Sequence, residues 1–261
     1  MLRFVVPVVT PHGLPDAIRH ARVVGIIPSR YQSTRLPGKA LAEIAGAPMV
    51  EHVHRRASRA ALLDAVIIAT DDQRIADAVS SFGGTAVMTR ADHPSGTDRL
   101  AEVAAALYCD IVVNIQGDEP TIAPEAIDAA VRLLIDRPAD RMATLRRRID
   151  DQADLTNPAV VKLVSDRAGY ALYFTRSAVP FVRPGSSKPV AWRHIGLYAY
   201  RREFLATLAG LAPTPLEQAE GLEQLRALEN GYRIITAETD ADAIGVDTQE
   251  DLDRVRELMR S

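Results

Sequence analysis

The sequence predicts a doubly wound α/β fold with a mostly parallel mixed sheet, and three observations support this. Short apolar runs rich in β-branched residues recur along the first half of the chain. Segments with helical spacing of apolar residues separate them. The run at residues 111–115 is apolar on both faces, as in parallel strands, and ends in a polar turn at 116–120. Ligands of such sheets bind beyond the carboxyl ends of the strands.

Each of the first four predicted strands is followed by a predicted helix. Pro48 suits a first helical position, and Asp71 or Asp72 suits the cap of the next helix. Gly83 and Gly84 end that helix. The predicted strands are residues 23–27, 65–70, 85–88 and 111–115, and the apolar helical stripes span 49–57, 75–82, 100–107 and 124–135.

The second half of the chain predicts a smaller mixed-sheet extension at about residues 155–230, within a single domain of residues 22–261. Further strands are predicted at 160–164, 170–175, 195–200 and 233–237, with helices around 215–229 and 249–259. A loop rich in Pro, Gly, Ser and Lys at 181–192 is expected to be exposed. Prolines interrupt the apolar start, so residues 1–21 are interpreted as an N-terminal extension, open to disorder.

The composition is ordinary for a globular chain. The 261 residues, 47% hydrophobic and 25% charged, suffice for a sizeable core. With 31 basic and 34 acidic residues the formal net charge is -3, which provides no basic field for nucleic acid. No apolar run reaches the ~20 residues of a membrane helix. The one cysteine, Cys109, excludes an internal disulfide and fits a reducing compartment, so we expect a cytoplasmic protein without membrane or nucleic-acid partners.

The loop after the first predicted strand carries cations and a hydroxyl in a pattern that suits a triphosphate. Arg30, Arg35 and Lys39 would neutralise phosphate charge, and Ser33 could donate a hydrogen bond. The loop is not a Walker motif, because Ser33 stands where that motif needs glycine and Ala40 where it needs a hydroxyl. It also lacks a dinucleotide GxGxxG. The alternative is a solvated basic loop, and charge alone does not exclude it.

Residues 26–39 closely resemble the opening motif of the 3-deoxy-manno-octulosonate (Kdo) cytidylyltransferases, the CMP-Kdo synthetases. The likeness recurs in order at residues 88–99, 116–120, 169–176, 193–196, 222–226 and 245–248. Each stretch alone is modest, and together they are specific. The sister CMP-sialate synthetases are expected to differ at 36–39 and to lack the 116–120 motif. The resemblance implies a nucleotide-diphospho-sugar transferase-like fold and a homodimer.

The resemblance also implies a reaction and a metal. The family condenses CTP with Kdo to give pyrophosphate and CMP-Kdo for lipopolysaccharide assembly. Asp118 and Asp247 correspond to the carboxylates that hold Mg²⁺ in the family, and with Lys39 they are the implied catalytic residues. Both carboxylates are expected just beyond buried strands. Without the resemblance, Asp247 is better interpreted as part of a helix entry, because Thr248 and Asp251 have capping-box spacing.

The remaining implied site residues fall into two groups, and each has a structural alternative. Arg30, Ser33, Arg35 and Lys39 correspond to the triphosphate cradle. Asp71, Ser95 and Thr97 correspond to the region facing the cytosine and ribose, although each suits a helix cap. The implied Kdo-binding residues are Gln116, Arg176, His194, Tyr198 and Glu217, with Glu220 and Glu223 as weaker alternatives.

The Kdo-binding assignments compete with ordinary roles. An arginine such as Arg176 suits the Kdo carboxylate, and the other side chains can bond sugar hydroxyls. However, His194 could be a satisfied strand histidine and Tyr198 a core residue. Glu217, three residues after Thr214, has the spacing of a capping box.

Three alternatives for function and two departures from the family pattern stay open. The same cradle would serve a cytidylyltransferase for another acidic sugar, such as an amino-Kdo or a sialate-like substrate. A non-catalytic nucleotide-sugar binding protein and a retaining glycosyltransferase rank lower. Arg146, Arg147 and Arg148 replace small or apolar residues, either as an exposed strand end or as an added anion contact. The loop at 181–192 is short, which leaves the dimer interface open.

Overall fold

A computed structural model describes residues 8–33, 35–187, 189–242 and 244–260. These residues cluster into two compact units, the first within residues 1–128 and 242–261 and the second within residues 129–241. The predicted single domain with an extension at 155–230 stays a prediction. No helix of the described part of the chain is both long and apolar enough to cross a bilayer.

The first unit contains a four-stranded parallel sheet in the order β6-β1-β4-β5. Helices separate these strands in sequence, which confirms the predicted alternation. The bounds are α1 Asp16–Arg19, β1 Val23–Ser29, β2 Glu43–Ile44, β3 Ala47–Pro48, α2 Met49–Ala57, β4 Ala65–Thr70, α3 Gln73–Ser81, β5 Thr85–Met88, α4 Gly96–Ala104 and β6 Ile111–Asn114. Residues Pro11–Gly13 and Lys39–Leu41 are 3₁₀ helices. The unit boundary falls within α5, Pro124–Asp136, and the C-terminal helix Gln249–Leu258 returns to the first unit.

The second unit has a mixed sheet in which β7 lies between a parallel and an antiparallel neighbour. Strand β10 also pairs with β8, and β8 pairs with β9, both antiparallel. The bounds are β7 Met142–Arg148, α6 Gln152–Thr156, β8 Lys162–Ser165, β9 Ala171–Thr175, β10 Trp192–Arg201, α7 Arg202–Ala209, α8 Pro215–Glu220, α9 Leu225–Glu229 and β11 Ile235–Glu238. The C-terminal helix of the first unit is therefore α10. The loop predicted at 181–192 holds no helix or strand over its described residues before Trp192. The side chain of Phe181 is exposed, as expected for this loop.

The described part of the predicted extension, residues 8–21, contacts strand β5 of the first unit. Val9 forms a parallel bridge with Val87, because its amide donates to Ala86 and its carbonyl accepts from Met88. The Leu14 side chain is buried. Apolar burial and backbone pairing at a sheet edge together hold this segment. The proposal that the extension could be disordered also covers residues 1–7, which lie outside the described residues.

A small apolar core cluster holds the C-terminal helix of the first unit. Ile44, Met49, Val246, Leu252 and Val255 are all buried in it. Val246 packs in this cluster with Ile44 of β2 and Met49 of α2. This packing fixes the position of the next residue, Asp247, beside the β2–β3 hairpin. Burial of such side chains stabilises by roughly 1.5–3 kcal/mol each, so the cluster is sufficient to fix this segment.

Candidate active site

A cavity of about 340 Å³ opens beyond the carboxyl ends of β1 and β6 in the first unit. This is where a parallel sheet is expected to bind its ligand. Predicted site residues from four separate stretches of sequence line the cavity: Arg30, Ser33, Arg35, Lys39, Ser95, Gln116, Asp118 and Asp247. The folded chain therefore brings these predicted residues together. Asp71 and Thr97 are not among the lining residues.

The Lys39 ammonium joins the two predicted metal carboxylates. Its Nζ donates to Oδ2 of Asp118 at 2.5 Å and to Oδ1 of Asp247 at 3.0 Å. It also donates to the Val246 carbonyl at 3.1 Å. Burial opposes the charge on Lys39, but the nearby carboxylates of Asp118 and Asp247 outweigh it and raise the pKa of the amine. Lys39 is therefore a fixed cation at pH 7.

The cradle loop is closed by backbone geometry and by a second cation. Gly38 adopts a left-handed backbone with φ of 71°, and its amide donates to the Tyr31 carbonyl at 2.8 Å. The Arg35 guanidinium contacts Oδ2 of Asp247 at 2.8 Å. Two cations of one loop thus contact one carboxylate. Thr34, between these residues, lies outside the described residues.

Asp247 is held by the entry of α10, and its expected place at a strand end is wrong. The preceding strand β11 ends at Glu238 in the second unit. Instead, the Val246 amide donates to the Asp118 carbonyl at 2.9 Å, which joins the two carboxylate-bearing segments. Thr248 and Asp251 form the capping box predicted from their spacing. The Asp247 amide donates to Oδ2 of Asp251 at 3.1 Å.

The donor set at Asp118 and Asp247 fits Mg²⁺ shared with a substrate. Both carboxylates contact one atom, Lys39 Nζ, so their oxygens converge on one cation position. Mg²⁺ in phosphoryl-transfer sites takes one or two carboxylates and completes its shell with phosphate oxygens and water. Over the described residues there is no group of three or more His, Cys, Asp or Glu that would cage a metal without a substrate.

Arg99 is a cavity residue that the sequence reasoning did not assign. Its side chain is almost fully buried, contacts the Asp71 carboxylate at 3.3 Å and donates to the Thr89 hydroxyl. Asp71 thus lies one contact behind the cavity wall. Asp72, rather than Asp71, caps α3 by accepting from the Arg74 amide. The signal for Arg99 was its position within the family-like stretch 88–99.

The first turn of α4 supplies another part of the wall. Ser95 caps the helix by accepting from the Asp98 amide, and its hydroxyl donates to the Asp98 carboxylate at 2.7 Å. Thr97 is buried in the helix, with 3% of its surface exposed. Ser95 therefore lies at the cavity as predicted, whereas Thr97 does not. His93 also lines the cavity, and its Nε2 pairs with the Glu102 carboxylate.

Ser29 and Gly117 form a close contact at the floor of the cavity. A Cβ atom on Gly117 would lie 2.7 Å from the Pro28 carbonyl and 2.9 Å from Ser29 Oγ. Glycine at position 117 is thus required by the neighbouring strand end. Within the described residues, the buried Ser29 Oγ has no hydrogen-bond partner. An unpaired buried hydroxyl at a cavity wall is available to a ligand.

The other predicted sugar residues lie in the second unit, where Arg176 and Glu220 form one network. Glu220 accepts from the Thr175 hydroxyl at 2.6 Å and from the Arg176 amide at 2.9 Å. The Arg176 guanidinium donates to the carbonyls of Glu220 and Pro158. Burial opposes ionisation of Glu220, but these hydrogen bonds outweigh it and lower its pKa.

His194 and Tyr198 lie together in an aromatic group of the second unit. Their ring centroids are 5.2 Å apart, and His194 also packs edge-on against Phe174 at 5.1 Å. Burial lowers the pKa of His194 to about 3 although part of its surface stays accessible. Burial, with Tyr200 and Glu223 nearby, raises the pKa of Tyr198. Both rings are neutral at pH 7, and the Tyr198 hydroxyl is buried without a partner among the described residues.

Glu217 takes the capping role that its spacing predicted. Its carboxylate accepts from the Thr214 amide at 3.0 Å and pairs bidentately with Arg226 at 2.5 and 2.9 Å. Burial opposes its ionisation, and the Arg226 contacts outweigh that and lower the pKa of Glu217. Its sugar-binding role stays a prediction, since both carboxylate oxygens already have protein partners.

Arg146 is not the solvated strand end that was one of its two interpretations. Its guanidinium lies 4.5 Å above the Trp192 ring and donates to the Ser165 hydroxyl. Burial lowers its pKa against the opposing charge of Glu238. Arg148, two residues further along β7, contacts Asp150 at 3.2 Å. The half-buried arginine therefore stabilises the pairing of β7 with its neighbours.

Comparisons with known proteins agree on one family. A family model described as cytidylyltransferase matches residues 24–234. The chain is 56% identical over 249 residues to a 3-deoxy-manno-octulosonate cytidylyltransferase of Pelobacter propionicus, with 92% of this chain and 98% of the relative covered. It is 53% identical over 240 residues to a protein of the same description from Solibacter usitatus, with 92% and 95% covered.

Solved structures agree with these relatives. The chain is similar to a CMP:2-keto-3-deoxy-manno-octonic acid synthetase complexed with CTP, with 45% identity, a TM-score of 0.88 and coverage of 92% of this chain and 98% of that one. A cytidylyltransferase of Leptospira borgpetersenii is 16% identical, has a TM-score of 0.61 and covers 92% and 87%. That more distant likeness concerns the fold alone. The predicted nucleotidyltransferase-like fold class is confirmed.

Proposed function

This chain belongs to the 3-deoxy-manno-octulosonate cytidylyltransferase family, and from that premise we propose that it transfers CMP from CTP to Kdo. The products are CMP-Kdo and pyrophosphate, and the product sugar nucleotide serves lipopolysaccharide assembly. The anomeric hydroxyl of Kdo attacks the α-phosphorus, and the bond from that phosphorus to the bridging oxygen of pyrophosphate breaks. Such transfers depend mainly on positioning and charge neutralisation.

The observation that carries the proposal is the contact of Lys39 with both Asp118 and Asp247 in the cavity. A lone basic loop would be solvated, whereas this loop directs one cation onto two carboxylates beside further cavity-lining cations, Arg30 and Arg35. Triphosphate binding needs cations, and metal binding needs carboxylates. The cavity has both within a few ångströms.

The residues of the first unit have separable roles in this proposal. Arg30, Arg35 and Lys39 neutralise the triphosphate, and Ser33 donates to a phosphate oxygen. Asp118 and Asp247 would hold Mg²⁺, which supplies neutralisation of phosphate charge when bound. Ser95 and Arg99 face the nucleoside, with Asp71 fixing the Arg99 guanidinium. The Thr97 side chain is buried within α4.

The sugar is proposed to contact Gln116, Arg176, His194 and Tyr198. The charged Arg176 suits a carboxylate, and the neutral rings of His194 and Tyr198 suit hydroxyls. Glu217 would act mainly by fixing α8 through Arg226. We also propose a homodimer in the cytoplasm, which light scattering of the purified protein after size-exclusion chromatography would test by its mass.

Pyrophosphate release tests the reaction directly. Purified protein with CTP and Mg²⁺ should release pyrophosphate only when Kdo is added, and release should stop on chelation or when ATP replaces CTP. A folded protein that binds CTP yet releases nothing with Kdo would overturn the assignment of the sugar. Turnover with an amino-Kdo or a sialate under the same conditions would then identify the acceptor.

A further inference from the structure

Thr144 lies opposite an irregular part of β10. The Thr144 side chain is fully buried in β7. Leu145 pairs with Ile195, but Thr144 pairs with Tyr198, so Gly196 and Leu197 bulge out of the register. A bulge of this kind re-aims the side chains that flank it.

The bulge is what brings His194 and Tyr198 together. In a regular strand, residues four apart are separated by ~13 Å along the strand axis. The ring centroids of His194 and Tyr198 are only 5.2 Å apart. The two rings therefore depend on the folded-back segment between them, and whatever holds that segment also positions the rings.

The Thr144 hydroxyl holds the segment and one ring at once. Its Oγ1 lies 3.1 Å from the Ile195 carbonyl, 2.8 Å from the Leu197 carbonyl and 3.0 Å from His194 Nε2. Two oxygen atoms 2.8 Å apart repel unless a proton lies between them, so the one hydroxyl proton of Thr144 is assigned to the Leu197 carbonyl, the nearer of the two. The hydroxyl oxygen must then accept from His194, which requires the proton of the ring on Nε2.

The proton on Nε2 also determines the protonation state of the other ring nitrogen of His194, Nδ1. Burial lowers the pKa of His194 to about 3, so the ring carries one proton near neutral pH. With that proton on Nε2, Nδ1 is an acceptor without a proton. Nδ1 has no hydrogen-bond partner among the described residues, and His194 keeps accessible surface.

We propose that Thr144 is a positioning residue that fixes His194 as the Nε2–H tautomer, so that Nδ1 accepts a hydrogen bond from a hydroxyl of the sugar. The inference rests on the proposed function, because it takes His194 as a sugar contact. An acceptor nitrogen can accept a hydrogen bond from a sugar hydroxyl, but it repels a carboxylate, which is also an acceptor. The Kdo carboxylate must then bind elsewhere, at a cation.

The tautomer is measured in the ligand-free protein by long-range ¹H–¹⁵N NMR of ¹⁵N-histidine-labelled samples. In wild type the His194 ring should have a protonated Nε2 and an unprotonated Nδ1 at pH 7. Thr144→Val, which keeps the shape and loses the hydroxyl, should give a mixture of tautomers. Thr144→Ser, which keeps the hydroxyl, should keep the wild-type spectrum.

Thr236→Val is the matched control. Thr236 is buried on β11, pairs with Thr144 in register and donates its hydroxyl to the Gly169 carbonyl at 2.7 Å. This control loses a comparable hydrogen bond without touching His194. It should lower stability as Thr144→Val does, and leave the His194 tautomer unchanged.

Kinetics complete the test. Thr144→Val should raise KM for Kdo by ~5–10-fold, the equivalent of one hydrogen bond, and change KM for CTP by less than ~2-fold. Thr144→Ser should restore the wild-type KM, and Thr236→Val should keep it. A wild-type His194 with its proton on Nδ1 would overturn the proposal even if CMP-Kdo forms.

The remaining outcomes are also decisive. A Thr144→Val protein whose tautomer and KM for Kdo match those of Thr236→Val would reduce Thr144 to a structural residue and overturn the proposal. An altered tautomer with an unchanged KM for Kdo would overturn the hydroxyl contact. Failure of wild type to release pyrophosphate with Kdo would instead overturn the proposed function, and the NMR result distinguishes that case.

Discussion

Lys39 is the cation that contacts both candidate metal carboxylates, Asp118 and Asp247. It compensates two carboxylates that would otherwise repel each other, and its loop is the proposed triphosphate cradle. Lys39→Ala should therefore raise KM for CTP by ~10-fold or more and KM for Kdo by less than ~3-fold. Steady-state kinetics with each substrate varied would measure both. Arg55→Ala, which removes an exposed cation of the same unit, is the control. Equal increases in both constants would contradict the phosphate role.

Asp118 should matter for turnover rather than for folding. Its carboxylate is partly exposed, and Asn keeps its shape, so Asp118→Asn should keep the melting temperature within a few degrees. Loss of its charge at the reacting phosphate should lower kcat by ~10²-fold or more. Asp253→Asn changes the same charge on the exposed face of α10 and should keep full activity. An Asp118→Asn enzyme that stays active and responds to Mg²⁺ would remove Asp118 from the mechanism.

Ser29 offers a test that separates ligand binding from stability. Its buried hydroxyl has no partner among the described residues, so Ser29→Ala should change the free energy of unfolding of the free protein by less than ~0.5 kcal/mol. If the hydroxyl bonds the nucleotide, the same change should reduce the rise in melting temperature that CTP produces.

Ser80→Ala is the control for Ser29. The Ser80 hydroxyl donates to the Ala76 carbonyl at 3.0 Å on α3, away from the cavity. This variant should keep the full thermal shift with CTP. Calorimetry with and without CTP measures all three proteins, and an unchanged shift in Ser29→Ala would exclude the contact.

At the scale of elements, α10 positions Asp247 through its capping box. Thr248 and Asp251 satisfy each other's backbone amides, and Asp251 also accepts from the Asp247 amide. Thr248→Ala should lower the free energy of unfolding by ~1 kcal/mol, as for other lost caps, and should also reduce kcat/KM. Asp151→Ala removes the cap of α6 and should affect stability alone. Denaturant unfolding and kinetics on both variants would show whether the cap and the site are coupled.

The elements that the sequence predicted best are the strands whose apolar residues are buried on both faces of the sheet. The bounds of β4 and β5 agree with their predicted ranges to the residue, and Ser95 caps α4 at the cavity. Strand β7 was not predicted, because its four buried residues include the polar Thr144 and pass directly into Arg146 and two further arginines. Packing of the Arg146 stem on Trp192 is a tertiary effect that no local pattern contains.

Much of the candidate site could be predicted because loops at strand ends carry its residues. Lys39 and Asp118, both implied by the family resemblance, lie in the same cavity, and the hydrogen bond between them was not predicted. The position of Asp247 depends on burial of Val246 in an apolar cluster formed by distant segments, so the strand-end expectation for it failed. Arg99 was missed for a similar reason, since its importance comes from Asp71 across the fold. Periodicity identifies faces, but partners across the fold become visible only in the structure.

At the scale of the whole molecule, acid should destabilise the protein through His194. Its folded pKa is about 3 and its unfolded pKa is near 6.5, so above pH 6.5 both states are neutral and stability does not depend on this ring. Between pH 6.5 and 3 only the unfolded chain binds the proton. The free energy of unfolding should therefore fall as the pH falls, by up to ~1.4 kcal/mol per pH unit from this one group.

His194→Asn isolates that contribution. Glu217 and Glu220 also have lowered pKa values, but their ordinary value is 4.5, so their loss of stability is concentrated below that pH. His54 contributes in the same window as His194, since burial and then Arg55 lower its pKa, and it does so equally in both proteins. Urea unfolding between pH 4.5 and 7, followed by the fluorescence of the single tryptophan, Trp192, on the same strand as His194, gives the two curves. The variant should have the shallower slope, by close to one proton. Parallel curves would mean that the folded protein accepts a proton on His194 near its ordinary pKa, and the pKa lowered by burial would then be wrong.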